Sequence, residues 1–271
     1  MLPMLSRPMN RLFRAVFVSA VAGFAGVAPL VVRGEVGIGA KPPSGAEVIV
    51  DGTRSTLEAK WTYWQGPRFA SALPIKWPIV EDPVDAGSVL KTDDPVVAKG
   101  KYGTADIVTK KTYRDFRLHI EFLVMNPGGN SGVYLQNRYE IQIQDGVKTK
   151  HGMGAVINET ESPYHLYRGL RQWNAYDLQF RAARFKSGKL SEPAQVTVYF
   201  NGVKVHTNQL IMKVWGGANS GLDGGNEGGK GITDVPGGLK LQCEGHDVRY
   251  RNGWIQELNL REAITDFRAD Q

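Results

Sequence analysis

The stretch from Asp115 to Asp145 constrains the fold of this chain more than any other segment. Its first part alternates strictly between apolar and polar side chains. The apolar ones are Leu118, Ile120 and Phe122, and the polar ones are Arg117, His119 and Glu121. Because successive side chains of a strand point to opposite faces, this alternation predicts a strand with one core face and one polar face.

Two further strands are predicted in the same stretch, after a glycine-rich turn. Val133 and Leu135 alternate with polar residues, and so do Ile141 and Ile143. If all three apolar faces join one core, the three polar faces form one surface that carries a histidine, an arginine, two glutamates and several amides. We expect this surface to be either a solvated polar face or the wall of a sugar-binding cleft.

The rest of the chain predicts an all-β fold. With 271 residues and 42% hydrophobic content, the chain can form one large β domain or two small ones. Alternation resumes from Trp173, and Asn201-Gly202 is a dipeptide typical of tight hairpin turns. Many short strands with no long amphipathic helix indicate a single jelly-roll sandwich of two antiparallel sheets.

The first 34 residues predict a secretory signal peptide. Arg7, Arg11 and Arg14 precede an uncharged apolar run at residues 15–32. The run is long for a signal core, so an uncleaved membrane anchor is the alternative. We divide the remainder into a linker at 35–45, a domain at 46–262 and a C-terminal tail at 263–271. The expected location is secreted or periplasmic.

Charge and cysteine content restrict the partners. The net charge is +6, and residues 1–34 contribute four arginines and no acid, which leaves +2 for the rest. Nucleic acid is therefore not an expected partner. Cys243 is the only cysteine, so no intrachain disulfide can form, and we expect a buried structural thiol.

No cofactor is predicted. The sequence has no HExxH motif and no CxxC pair. Within the glycine-dense stretch at 216–238, Asp223, Asn226 and Glu227 offer oxygen ligands that could hold a structural Ca²⁺, although their spacing matches no EF-hand. A plain surface loop is the alternative.

Several motifs resemble the 3-keto-disaccharide hydrolase family. In chain order they are DFRLHIEFLV, GNSGVYLQNRYEIQIQD, WNAYDLQFRAARF, VTVYFNGV and LKLQCEGHDVRYRNGWIQEL. The similarity runs from about Val48 to Leu260. It implies a concanavalin-like jelly roll, export from a bacterium, and action on glycosides that a separate sugar 3-dehydrogenase has oxidised. One departure is Glu244, which stands where many members carry a histidine.

The substrate implied by this resemblance suggests roles for the polar residues. A ketone at C3 acidifies the C2 proton, so cleavage needs a general base, donors for the enolate oxygen and an acid for the leaving group. The candidate catalytic residues are Glu121, Glu140 and His119. The candidate substrate-binding residues are Arg117, Tyr134, Gln136, Gln142, Arg249 and Arg251. The alternative is that these side chains only solvate a sheet face through cross-strand ion pairs.

Two other functions remain open. An ordinary glycoside hydrolase of this fold usually carries paired carboxyls in an ExDxxE arrangement, which is absent here. A non-catalytic sugar-binding module would use Trp61, Tyr63 and Trp64 as a binding platform, whereas core packing is the other expected place for those rings.

Overall fold

A computed structural model describes residues 36–64, 75–92, 106–214 and 231–268. In the described residues the strands and the helix have the following bounds: β1 Glu47–Val50, α1 Arg54–Lys60, β2 Trp61–Tyr63, β3 Ile79–Glu81, β4 Ser88–Lys91, β5 Ile107–Thr109, β6 Asp115–Val124, β7 Asn130–Leu135, β8 Tyr139–Gln144, β9 Asn174–Arg181, β10 Arg184–Lys186, β11 Lys189–Glu192, β12 Ala194–Phe200, β13 Val203–Ile211, β14 Lys240–Leu241 and β15 Val248–Leu258.

The strands form two large antiparallel sheets and one small hairpin. Sheet A has the order β13-β12-β9-β6-β15-β4-β3, with β1 also paired to β15. Sheet B has the order β2-β5-β14-β7-β8, and β10 pairs only with β11. All of these pairs are antiparallel. The predicted two-sheet jelly-roll sandwich is confirmed.

The apolar faces of the two sheets form one core between them. Leu118 and Ile120 of sheet A and Val133 and Ile141 of sheet B are fully buried in the same cluster. Full burial of one such side chain contributes about 1.5–3 kcal/mol. The alternation read from the sequence therefore identified the core faces correctly.

Trp61 and Tyr63 also lie in this core, and the Trp61 indole donates a hydrogen bond to the carbonyl of Ile49 at 2.7 Å. The prediction that these two rings pack in the core is therefore confirmed. The alternative, that they form a sugar-binding platform, is wrong for Trp61 and Tyr63. Cys243 is a buried free thiol in the same cluster, as expected.

The β12–β13 hairpin has the predicted turn. Asn201 and Gly202 both have positive φ, at 49° and 82°, which suits the right-handed twist of the flanking strands. A three-residue turn joins β7 to β8, and its first two residues, Gln136 and Asn137, also have positive φ, at 50° and 56°.

The segment predicted to be a linker packs against sheet A. The amide of Gly37 donates to Asp177, and the amide of Gly39 donates to Glu121, both at 2.7 Å. Near the other end of the chain, Thr265 is hydrogen-bonded to Thr197 of β12 at 2.9 Å. Residues from both termini of the described domain thus lie across the outer face of sheet A.

Two predictions fall outside the described residues, namely the signal peptide and the Asp223, Asn226 and Glu227 cluster. Within the described ranges, no helix combines the length and the apolar character needed to cross a membrane.

Candidate active site on sheet B

The structure separates the predicted site residues into two clusters. His119 and Glu121 lie on β6 in sheet A, whereas Glu140 lies on β8 in sheet B. In each strand the alternate side chains enter the shared core, so these polar side chains lie on the two outer faces of the sandwich. The prediction that they line one wall is therefore wrong.

The cluster on sheet A is a closed ionic network. His119 Nδ1 lies 2.7 Å from Asp177, and His119 Nε2 lies 3.5 Å from Glu121. Arg251 donates to Glu121 at 2.7 Å, and Asn252 donates to the same carboxylate at 2.8 Å. The side chains of His119, Glu121 and Asp177 are each at most 1% exposed.

Charges in this network stabilise one another. Burial alone would lower the pKa of His119, but its hydrogen bonds to Asp177 and Glu121 raise that pKa to about 9. Burial alone would raise the pKa of Glu121, but hydrogen bonds from His119, Asn252, Gly39 and Arg251 lower it to about 2. An imidazolium between two carboxylates, covered by backbone, holds the N-terminal segment in place and leaves no room for a sugar.

Four other predicted binding residues also make structural contacts, three of them on sheet A and one, Gln136, in a turn of sheet B. Arg117 lies 4.7 Å from the centre of the Phe267 ring, and Arg251 lies 4.1 Å from the centre of the Trp173 ring. Arg249 pairs with Asp247 at 3.2 Å. Gln136, in the β7–β8 turn, donates to carbonyl groups of residues 113, 114 and 235.

Sheet B brings the remaining predicted residues together. Tyr134 of β7 is directly opposite Glu140 of β8 and directly opposite Lys240 of β14. Because directly opposed side chains on one face lie about 4.5–5.5 Å apart at Cβ, these three groups meet. Gln142 lies two residues further along β8 on the same face.

Contacts on this face are short. Lys240 Nζ lies 3.7 Å from the centre of the Tyr134 ring and 3.0 Å from the carboxylate of Asp106. Gln242 Nε2 donates to Tyr134 Oη at 3.1 Å and to Glu244 Oε1 at 2.9 Å. An acid, a phenol, an ammonium group and an amide therefore converge at one place on sheet B.

Burial favours the neutral form of the Glu140 carboxyl group. Burial raises its pKa to about 8, assisted by the negative charges of Asp106 and Glu244, although a hydrogen bond to Tyr134 and the charge of Lys240 act in the opposite direction. A buried carboxyl group with a pKa near the working pH is characteristic of a general acid or base.

Gly132 makes the space that Glu140 occupies. A Cβ atom at position 132 would lie 2.1 Å from Glu140 Oε1 and 2.9 Å from its carboxyl carbon. Gly132 lies within β7, where the absence of a side chain admits the carboxyl group of Glu140.

We predict that Gly132→Ala displaces the Glu140 carboxyl group. The expected result is a loss of about 10²-fold or more in turnover, since a misplaced acid–base group loses most of its contribution. Turnover on a 3-keto-glycoside measures the loss, and near-ultraviolet circular dichroism verifies folding. Gly188→Ala is the control for a Gly-to-Ala change far from this face. Its Cβ position is open, and the strain from its φ of +74° falls on the β10–β11 turn, so turnover per folded molecule should be unchanged. Full turnover of Gly132→Ala would contradict this role.

Sequence reasoning missed five residues of this face. They are Trp64, Asp106, Lys240, Gln242 and Glu244. Trp64 was considered only as part of a platform, and its ring lies 4.4 Å from Lys240 Nζ. One signal of this face was present in the sequence, namely the departure from the family pattern at Glu244. That residue lies close enough to Tyr134 and Glu140 for its charge to act on both.

Metal-based chemistry has no ligand set in the part of the chain that the structure describes. Within those residues no group of three or more His, Cys, Asp or Glu side chains is arranged to hold a metal ion.

A family model for the 3-keto-alpha-glucoside-1,2-lyase-like domain matches residues 45–256. The chain belongs to this family. The matched span includes both sheets and every residue of the Glu140 face. The resemblance read from the motifs is thereby confirmed.

Solved structures agree with this assignment. One is a provisionally assigned glycosyl hydrolase from Parabacteroides distasonis, 26% identical, which covers 88% of this chain and 95% of its own with a TM-score of 0.64. A second protein of the same description and organism is 18% identical, covers 79% and 94%, has a TM-score of 0.53, and shows the fold alone. No curated protein matches the chain. The family and the first structure support a carbohydrate-active role.

Proposed function

We propose that this protein cleaves the glycosidic bond of 3-keto-glycosides at the Glu140 face of sheet B. The observation that carries the proposal is the buried carboxyl group of Glu140, which lies opposite Tyr134 on a sheet face of a domain from this family and whose pKa is raised by that burial. Members of the family are described by a 3-keto-glucoside lyase activity, and this face offers the groups which that reaction needs.

The reaction has two steps. A base removes the C2 proton, the resulting enolate re-forms the C3 ketone as the C1–O bond breaks, and the departing oxygen takes a proton from an acid. Water then adds across the new C1–C2 double bond, which gives net hydrolysis. Glu140 is the proton donor, since it is neutral below about pH 8.

The charged and polar neighbours have separate roles in this scheme. Glu244, a partly exposed carboxylate on the same face, is the candidate base. Tyr134 and Lys240 place a hydroxyl group and a positive charge beside the site, and both favour the developing enolate. In this assignment His119 and Glu121 stabilise the fold and do not act on substrate.

The test compares oxidised and unoxidised sugars. Incubation of the purified protein with 3-keto-trehalose should release monosaccharide, whereas unoxidised trehalose should remain intact. Release from both sugars would indicate an ordinary glycoside hydrolase. Saturable binding without release would indicate a binding module, and either result contradicts the proposal.

A further inference from the structure

A cavity lies at the edge of the sandwich, and the Glu140 side chain is not among the residues that line it. It has a volume of about 230 Å³ and lies between the loop that follows β8 and the segment at 161–167. Its lining includes Phe200 at the end of β12, together with Met153 and Tyr167. The mechanism proposed above makes no use of this cavity.

The cavity is the right size for one sugar ring. Pockets for drug-sized ligands begin at roughly 300 Å³, so this cavity admits a smaller occupant. Its lining includes Phe200, Tyr167 and Leu166, whose side chains are suited to the C–H face of a pyranose.

The rim of the cavity is polar and electrically balanced. Lys148 and Glu161 contribute one charge of each sign, and His165 stands beside them. All three side chains are exposed, and among the described residues none of them makes a hydrogen bond or an ion pair. Such a rim can bind the hydroxyl groups of a neutral sugar and does not select an anionic one.

The wall of the cavity is joined to the Glu140 face. Gln142 Nε2 donates to the carbonyl of His151 at 3.2 Å, and the amide of Gly154 donates to the carbonyl of Gln142 at 3.0 Å. Gly152 and Met153, between these two contacts, line the cavity. Glu140 and Gln142 are two residues apart on one strand, which is roughly 7 Å.

From this geometry we infer that the cavity is a subsite for a neutral, unoxidised pyranose, the leaving sugar of a 3-keto-disaccharide whose oxidised ring lies at Glu140. This inference rests on the proposed function for the role of the sugar, while the binding of a pyranose in the cavity is independent of turnover.

Binding is tested with unoxidised sugar on the whole protein. Titration with α,α-trehalose, followed by amide chemical shifts, should give saturable changes at residues 147–153 and 161–167. Tyr164→Ala and Lys148→Ala remove lining side chains and should each weaken binding about fivefold, the scale of one lost contact. Lys150→Ala is the control, because Lys150 is exposed on the same loop and does not line the cavity.

Kinetics test the connection with the reaction. Both lining variants should raise KM for 3-keto-trehalose about fivefold with kcat unchanged, and leave KM for methyl 3-keto-glucoside unchanged. Absence of saturable shifts at the cavity, or shifts confined to the Glu140 face, would overturn the subsite even if cleavage occurs. Saturable binding at the cavity in a protein that cleaves nothing would sustain the binding site and defeat the proposed function.

Discussion

Glu140→Gln is expected to lower kcat on a 3-keto-glycoside by about 10²- to 10⁴-fold, the usual contribution of a positioned acid or base. The amide of glutamine has nearly the shape of the protonated carboxyl group, so the surrounding packing persists, but it cannot donate the proton that the leaving oxygen takes. Initial-rate measurements with 3-keto-trehalose give the size of the loss.

The matched control is Glu257→Gln, which makes the same chemical change at a side chain that is 55% exposed on β15. It should retain the activity of the unmodified protein. Glu140→Gln with full turnover would remove Glu140 from the mechanism, provided that its circular dichroism spectrum is that of a folded protein.

Glu140→Gln should also change how the free energy of unfolding depends on pH. Glu140 has an ordinary pKa of 4.5 and a folded pKa of about 8. Because the folded value is raised, its stabilising contribution is complete below about pH 4.5 and is lost as the pH rises through 8. The free energy of unfolding should therefore fall with pH more steeply than in Glu140→Gln, by up to about 1.4 kcal/mol per pH unit in that window. Urea denaturation at pH 5 and pH 7.5 measures the difference.

Glu121→Gln has the second large expected effect, and it is an effect on stability. Removing one partner from a buried ion pair costs about 3–5 kcal/mol, since the remaining charge is left without compensation. Here that charge is the imidazolium of His119, which also pairs with Asp177. The measurement is urea denaturation at pH 5.5.

The pH of this measurement follows from the two pKa shifts. The pKa of Glu121 is lowered to about 2, so its contribution is complete above about pH 4.5 and is lost as the pH falls through 2. The pKa of His119 is raised to about 9, so its contribution is complete below about pH 6.5 and is lost as the pH rises through 9. Both are complete near pH 5.5.

Glu257→Gln is again the control, because an exposed ion pair contributes only about 0–1 kcal/mol. The two glutamates of the original hypothesis are thereby distinguished. Glu121→Gln should unfold more easily and retain per-molecule turnover while folded, whereas Glu140→Gln should stay folded and lose turnover. A Glu121→Gln protein that is stable but inactive would indicate that catalysis takes place on sheet A.

Strand positions and core faces could be predicted from the sequence because alternation is a local property. Leu118 and Ile141 each belong to a strand in which every second residue is apolar. Both are buried in the core. Burial follows from the pattern whichever sheet the strand joins. The hairpin at Asn201-Gly202 was predictable for the same reason, since positive φ is a property of those two residues.

The grouping of the site residues could not be predicted, because alternation does not say which sheet a strand joins. Consecutive strands are neighbours in most cases, and the hypothesis treated β6, β7 and β8 as one surface. Instead β6 pairs with β9 and β15, while β7 and β8 form a hairpin in the other sheet. The chain crosses the sandwich between Val124 and Asn130.

Another part of the site could not be predicted because its residues lie far apart in the sequence. Lys240 and Asp106 form a buried pair although 134 residues separate them. No short motif contains both residues, and a lysine within a strand of only two residues has no local signal of burial. Only the pairing of β14 with β5 and β7 brings this charge to Tyr134.

Isotope incorporation tests the central claim most directly. Cleavage of 3-keto-trehalose in deuterium oxide, sampled at early times by mass spectrometry and proton NMR, should give a released keto sugar with one deuterium at C2, since solvent supplies the hydrogen that Glu140-dependent elimination removed. Glu140→Gln and heat-denatured protein set the background of spontaneous exchange. Release of a keto sugar that retains its original C2 hydrogen would contradict cleavage by proton abstraction.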